Sequence, residues 1–286
     1  NILDCSYYIG FLAIGVTFVI ITGGIDLSIS TVMMCAALIG GVAYNIWHWP
    51  IALSLVLVMV TSTLFGLLNG LMVAKLKLPP FIATLGTQMV TLGFGAIVSK
   101  VMTMRYPTVT DPDGWFKFVF YKTPAGFPIG TVWLGVFFVI SYVVLNKTRL
   151  GRYTFAIGSN EEATRLSGVK VDKWKICVYV ISGFFAGLAA IVYAAAYTSI
   201  IPSTGNGIET NAIAAVVIGG TSMAGGIGTI SGTLIGVFIM SVLKQGLMSM
   251  NLQGQWQTFF SGIVVIFAVW MDTYRNKKAN EVKKAN

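Results

Sequence analysis

Apolar residues arrive in blocks of about twenty separated by short polar joints, and this constrains the chain more than any other feature. A helix needs about 20 apolar residues to cross the hydrocarbon of a bilayer. Unbroken blocks run over 51–74, 81–100, 129–146, 175–197, 229–250 and 257–272. Two further regions are apolar but interrupted. The first, 6–45, has the length of two spans and carries Gly23-Gly24-Ile25-Asp26-Leu27-Ser28 in its middle. The second, 208–228, carries Gly219-Gly220-Thr221-Ser222-Met223-Ala224-Gly225-Gly226. The expectation is an all-α polytopic membrane protein with about nine membrane elements and broken helices. Composition agrees: 56% of residues are hydrophobic and 10% charged, against about 25% charged in soluble domains. That excludes a water-soluble enzyme, a disordered chain, a disulfide scaffold and a nucleic-acid module.

In such a chain the formal charge of +9 is a topology signal, because Lys and Arg concentrate in cytoplasmic loops. The segment 147–175 holds Lys147, Arg149, Arg152, Arg165, Lys170, Lys173 and Lys175; the tail holds Arg275, Lys277, Lys278, Lys283 and Lys284. Both are expected inside. Four elements lie between them, and an even number returns the chain to the same side. Counting back puts Lys75–Pro80 inside and the 101–128 loop outside, although Lys100, Arg105, Lys117 and Lys122 run against the rule there. Asp111-Pro112-Asp113-Gly114 and Tyr121-Lys122-Thr123-Pro124 read as turns in that loop. Trp47-His48-Trp49-Pro50 then falls at the outer interface, where Trp is enriched, and His48 reads as an interfacial belt residue. The chain is one transmembrane domain, 1–286, with an N-terminal half (1–128), a cytoplasmic loop (147–175), a C-terminal half (176–274) and a cytoplasmic tail (275–286). It begins with Asn1 almost on top of an apolar run, so part of the natural N-terminus is expected to be missing. Asn146-Lys147-Thr148 fits a glycosylation triplet but lies on the inner side and carries no weight. Cys5, Cys35 and Cys177 are far apart and read as buried, inert thiols.

An internal repeat aligns Asn69-Gly70-Leu71-Met72 through Leu85-Gly86 with Gln245-Gly246-Leu247-Met248 through Ser261-Gly262, and a Gly-Gly break precedes each copy. The two copies run in opposite directions through the bilayer. Inverted repeats with broken helices are a transporter signature. Non-helical backbone survives at membrane depth only against protein or a water-filled cavity. Gly23, Gly24, Gly219 and Gly220 therefore line a pathway or let helices approach closely. Asp26, the one acidic residue deep in a span, either caps a restarting helix with Ser28 beside it or works on substrate or protons. Glu209 and Asn211 at the second broken region carry the same two readings. Asn69, Thr84 and Gln88 bond between helices or face a polar solute.

The cytoplasmic loop contains one segment with definite start and stop signals. Asn160 can cap a helix from Glu161, with Glu161 and Glu162 at its positive end. Gly168 can end it. Such a helix suits docking of a partner. No G-x-x-x-x-G-K-[ST] loop occurs, no G-x-G-x-x-G opens a βαβ unit, and no H-E-x-x-H is present. No catalytic residue, cofactor or metal is expected, and the chain is not read as an enzyme.

Four stretches then resemble one family. They are Val19-Ile20-Ile21-Thr22-Gly23-Gly24-Ile25-Asp26-Leu27-Ser28, Leu78-Pro79-Pro80-Phe81-Ile82-Ala83-Thr84-Leu85-Gly86, the loop 148–169, and Ala212-Ile213-Ala214-Ala215-Val216-Val217-Ile218-Gly219-Gly220-Thr221-Ser222. In order and over essentially the whole chain they resemble permease subunits of ribose-type sugar ABC importers, which also serve xylose, arabinose, galactofuranose, inositol and autoinducer-2. The resemblance implies about ten spans in a bacterial inner membrane and a second permease copy or paralogue. It also implies a separate ATPase, often with two fused nucleotide-binding domains, and an extracytoplasmic sugar-binding protein. It assigns the loop around Gly158, Asn160, Glu161, Glu162, Arg165 and Gly168 to the ATPase contact. The substrate is then a monosaccharide or small polyol. Competing classes are an ion-coupled secondary transporter with Asp26 as proton carrier and a non-transporting membrane scaffold.

Overall fold

The structure is a computed structural model describing residues 2–250 and 254–285. Cys5, residues 251–253 inside the second copy of the repeat, and the basic side chains after Asp272 lie outside the described set. The described residues form twelve helices and one two-residue ribbon. In chain order these are α1 (Ile2–Ile21), α2 (Ile29–Asn45), α3 (Ile51–Ala74), α4 (Pro80–Val98), β1 (Met104–Arg105), α5 (Trp115–Phe120) and α6 (Ile129–Lys147). There follow α7 (Arg149–Ser159), α8 (Glu161–Leu166), α9 (Val171–Tyr197), β2 (Ser199–Ile200), α10 (Ile208–Ile218), α11 (Ile230–Ser249) and α12 (Gly254–Ala285).

Five helices, α3, α4, α6, α9 and α11, are long and apolar enough to cross a membrane. Four shorter apolar helices cover Ser6–Ile21, Ile29–Asn45, Ile208–Ile218 and Thr258–Tyr274. Sequence signals set many boundaries. Pro80 opens α4, where its missing N–H costs nothing and its φ is already helical. Thr229 Oγ1 accepts from Gly232 N (3.0 Å) at the start of α11. Thr198, with φ +57°, ends α9.

α1 is buried on every side from Ser6 to Thr22, the mark of a helix wholly inside a protein. It packs on α9, α11, α10 and α6. α2 packs on α3, α4 and α9, while α10 packs on α11, α12 and α1. The faces turned outward are apolar: Leu53, Val56, Val60, Leu64 and Leu68 of α3 are all exposed. An apolar stripe of that length belongs against lipid. α3 and α9 meet through Gly66 and Gly183, and a methyl on Gly66 would lie 2.9 Å from the Gly183 Cα. Small residues at such crossings let backbones touch.

At one end of the bundle sit Lys75, Lys77, Asp172, Lys175 and α8. At the other, β1 pairs antiparallel with β2 (Met104 opposite Ile200), beside exposed Trp47 and Trp49. The 101–128 loop does turn at Asp111–Gly114, where Gly114 N donates to Asp111 O (2.9 Å), with Thr108 N and Oγ1 donating to the Asp111 carboxylate (2.6 and 2.8 Å). It also carries α5 and β1, which the turn reading did not anticipate.

Three boundaries differ from expectation. The loop 148–169 holds two helices rather than one, because α7 precedes the anticipated α8. Cys177 is half-buried rather than buried, while Cys35 is buried. The region 208–228 is helical only over its first half. Its helix, α10, has 11 residues and is about 16 Å long at 1.5 Å per residue, half a bilayer. The segment before it packs on α2: Gly205, with φ +110°, lies against Met34 and the Ser30 carbonyl. The glycine cluster after α10 instead turns back at the bundle's Lys-rich end. There Gly226 N donates to Ile21 O (2.8 Å), and Met223 N and Ser222 Oγ donate to Asp272 (3.1 and 3.2 Å).

Candidate translocation site

The break between α1 and α2 is organised by one carboxylate. Asp26 Oδ1 accepts from Ser28 N (3.0 Å) and Ser28 Oγ (2.7 Å), and Oδ2 accepts from Ser182 Oγ of α9 (2.8 Å). Ser28 Oγ in turn accepts from Asn69 Nδ2 of α3 (2.8 Å), and Asn69 Oδ1 accepts from Thr87 Oγ1 of α4. Donors thus run Thr87 to Asn69 to Ser28 to Asp26. One relay ties the restart of α2 to three neighbouring helices. All five side chains are buried, and the space beside Asp26, Ser28 and Asn69 is too small for a water molecule. The sequence reading brought Asp26, Ser28 and Asn69 forward but missed Ser182 and Thr87. Their signal was weak: a lone Ser in an apolar helix, and a Thr84, Thr87, Thr91 stripe at helical spacing.

A second buried carboxylate organises the start of α10. Gly207 N lies 3.0 Å from each oxygen of Glu209. Ser30 Oγ of α2 donates to Oε2 and Gln88 Nε2 of α4 donates to Oε1 (3.2 Å). Gln88 Nε2 also reaches Asn206 Oδ1 (3.4 Å), and Thr91 Oγ1 donates to Thr31 Oγ1 one turn away (2.8 Å). Glu209 and Gln88, far apart in sequence, therefore form one cluster that also holds Ser30. Thr84 stands outside both clusters and donates to Pro80 O (2.8 Å) in its own helix. Asn211 lines an open cleft between α10, α11 and α12.

The glycines fall into a junction. Gly23, Gly158 and Gly225 bring three backbones together: a methyl on Gly225 would meet Gly158 O and Gly23 N at 2.9 Å. Gly219 faces Gly232 with no room for a side chain, and Gly220 (φ +91°) has open space around it. Gly24 lines a cavity of about 250 Å³ with Glu161 and Lys175.

Asn160 caps α8 by accepting from Ala163 N (2.9 Å), and Gly168 (φ +86°) follows its end. Glu161 and Arg165 turn toward the bundle. Arg165 bridges Glu161 (3.2 Å) and Asp172 (3.0 Å), Lys175 pairs with Glu161, and Lys77 pairs with Asp172 (2.9 Å). Hydrogen bonding from Lys77 holds the Asp172 carboxyl below its ordinary range, against some burial and with help from Arg165. Burial raises the Glu161 carboxyl, but Lys175 and Arg165 together outweigh it and bring it below the usual value. Glu162 stays exposed, and Leu166 is 83% exposed at the tip.

A relay of buried donors, two carboxylate-held helix starts and a capped loop helix form no catalytic constellation. Among the described residues no group of His, Cys, Asp and Glu has the arrangement of a metal site. Residues 1–269 match the model of a family described as the branched-chain amino acid transport system / permease component. The chain belongs to that family. This permease is 39% identical to the ribose import permease protein RbsC of Escherichia coli strain K12, covering 97% of its own length and 85% of the relative's. It is 35% identical to the fructose import permease protein FrcC of Rhizobium meliloti (97% and 78%). It is 32% identical to the xylose transport system permease protein XylH of Escherichia coli strain K12 (98% and 85%). The resemblance to ribose-type sugar permeases is borne out. No solved structure matches the chain.

Proposed function

We propose that the permease forms the membrane channel of an ABC importer and passes a monosaccharide delivered by an extracytoplasmic binding protein, with a separate ATPase supplying the energy. The observation that carries this is similarity along nearly the whole chain to permeases named for three different monosaccharides. The chain then sits in a bacterial inner membrane, crosses it with nine elements, works as a pair and keeps its C-terminus inside. The inverted repeat becomes α1–α4 against α9–α12. Its support is the exchange of neighbours: α2 lies on α3 and α4 as α10 lies on α11 and α12. Asp26 and Glu209 then occupy matching places, each accepting an N–H at a helix start. Asp26, Ser28, Asn69 and Thr84 stabilise the helices along the path, and Gln88, Glu209 and Asn211 face it. The helix α8, with Glu162 and Leu166 outward, meets the ATPase.

The test is uptake into proteoliposomes holding the permease with its cognate ATPase and binding protein. D-ribose, D-xylose, D-fructose and L-leucine are offered in turn. ATP-dependent uptake of a sugar is expected. Uptake of leucine alone would replace the sugar by an amino acid, and uptake driven by a proton gradient without ATP would establish the ion-coupled reading.

A further inference from the structure

The Asp26 relay leaves no space for a solute, so a polar solute passing this bundle needs another surface. Such a surface lies in the cleft between α10, α11 and α12. The cleft measures about 570 Å³, within the roughly 300–1,000 Å³ usual for small-molecule sites. Its hydrogen-bonding side chains are Asn206, Thr210, Asn211, Lys244, Thr258 and Ser261. They supply amides, hydroxyls and one ammonium from both sides of the cleft, and Val265 and Ile266 complete an apolar wall.

Lys244 is the one charged side chain among the described residues lining the cleft. Charged side chains within membrane helices face a water-filled cavity or the bundle interior, and they mark solute pathways. This ammonium is held in place. Its Nζ donates to Tyr8 Oη (2.8 Å) and lies 5.6 Å from the Tyr8 ring centre. Tyr8 is buried and braced edge-on by Tyr193 (5.2 Å) and Tyr197 (6.1 Å). An ammonium has three donors, so two remain for the cleft. The cleft also adjoins the second carboxylate cluster, because Asn206 accepts from Gln88.

We infer that this cleft is the sugar-contact site of the permease, with Lys244 and Asn211 donating to hydroxyls of a neutral monosaccharide. The inference rests on the sugar-import reading and names its residues. A polyol ring presents donors and acceptors around its rim and C–H groups on its faces. The mixed lining matches both, and the absence of a carboxylate among the described lining residues fits a solute without positive charge.

The experiment uses the complete reconstituted complex with D-ribose, D-xylose and D-fructose as probes. Wild-type uptake of none of the three sinks the sugar-import reading itself. Given wild-type uptake, Lys244→Met and Asn211→Leu are each expected to cut it about tenfold, the loss that follows from deleting a hydrogen bond involving a desolvated or charged donor. Lys244→Arg is expected to restore it and to alter the ranking of the three sugars, which a merely structural lysine would not do. A second arm keeps Lys244 native. Ser261→Cys, in a permease with Cys5, Cys35 and Cys177 replaced, is treated with a methanethiosulfonate reagent during ATP turnover. The transported sugar is expected to slow modification severalfold, and L-glucose is expected not to. Uptake unchanged in both variants, or modification at Ser261→Cys indifferent to the transported sugar, would overturn the assignment.

Discussion

Asp26 receives three donors, and its two simplest replacements separate the roles open to a membrane carboxylate. In Asp26→Asn the amide oxygen still accepts from Ser28, and the amide nitrogen can donate to Ser182, whose hydroxyl is free to rotate. Folding and transport should both survive. Asp26→Leu leaves Ser28 N and the Ser182 hydroxyl buried without a partner. Each such group costs about 1–3 kcal/mol, so the yield of folded permease should fall in fluorescence-detected size-exclusion chromatography. Normal folding with abolished uptake in the Asn variant would instead make Asp26 a proton carrier. The residue type and its Gly-Gly-x-Asp-x-Ser setting were readable as a helix start. Ser182 was not, since a single Ser in α9 has no local signature and acquires its role only when α9 crosses α1 beside it.

At the scale of elements, α8 is the part most open to test. Asn160, Glu161 and Gly168 announced its limits in the sequence, and its cap is present at Ala163 N (2.9 Å). What the sequence did not announce is that Glu161 and Arg165 are already engaged by Lys175 and Asp172 of the same chain. The outward face therefore passes to Glu162 and Leu166. Ala163→Pro removes the N–H that Asn160 caps and with it the bond that starts this six-residue helix, costing about 1 kcal/mol or more locally. The spans should remain folded, while pull-down of the ATPase and sugar-stimulated ATP hydrolysis should both drop. Normal values of both would make α8 a plain connector. The ion pairs also set a pH response. Asp172 and Glu161 have carboxyls below their ordinary range in the folded protein. Their contribution is therefore complete above the unfolded carboxylate range and disappears as pH falls through the lower folded values. A spin-label distance between Glu162→Cys and Lys170→Cys should be narrow at pH 7 and broaden only when an acid titration passes below the ordinary carboxylate range. Asp172→Asn should broaden it already at pH 7. A distance unchanged by acid or by that variant would show that these pairs do not hold α8.

For the whole molecule, orientation decides which end meets the ATPase. The Lys-rich end carries α8, and the other end carries Trp47, Trp49 and the ribbon. With Cys5, Cys35 and Cys177 replaced, Glu162→Cys should react in intact cells only with a membrane-permeant maleimide. Trp47→Cys should react with an impermeant one. The reverse pattern would invert the permease. The sequence alone determined the membrane class, the positions of nearly all apolar helices and the capped loop helix, because hydropathy, Lys/Arg bias and capping act within one turn or one span. It also led to the family through stretches that lie on the breaks and the loop. The second break follows α10, where Gly219-Gly220 and Gly225-Gly226 stand in the sequence, but a second irregular stretch precedes that short helix. Gly219-Gly220 and Gly225-Gly226 look like Gly23-Gly24 as letters, yet they make a turn against Ile21 and Gly158. The irregular stretch before α10 is 201–207, which has no glycine pair, turns at Ser203, Gly205 and Gly207 with positive φ, and meets α2 at Ser30 and Met34. Likewise the partners of Asp26, Glu209 and Lys244 come from helices dozens to hundreds of residues away. Tertiary structure alone decides these, because a hydrogen bond inside a membrane is specified by which helices cross and at what depth, and neither is encoded in local sequence.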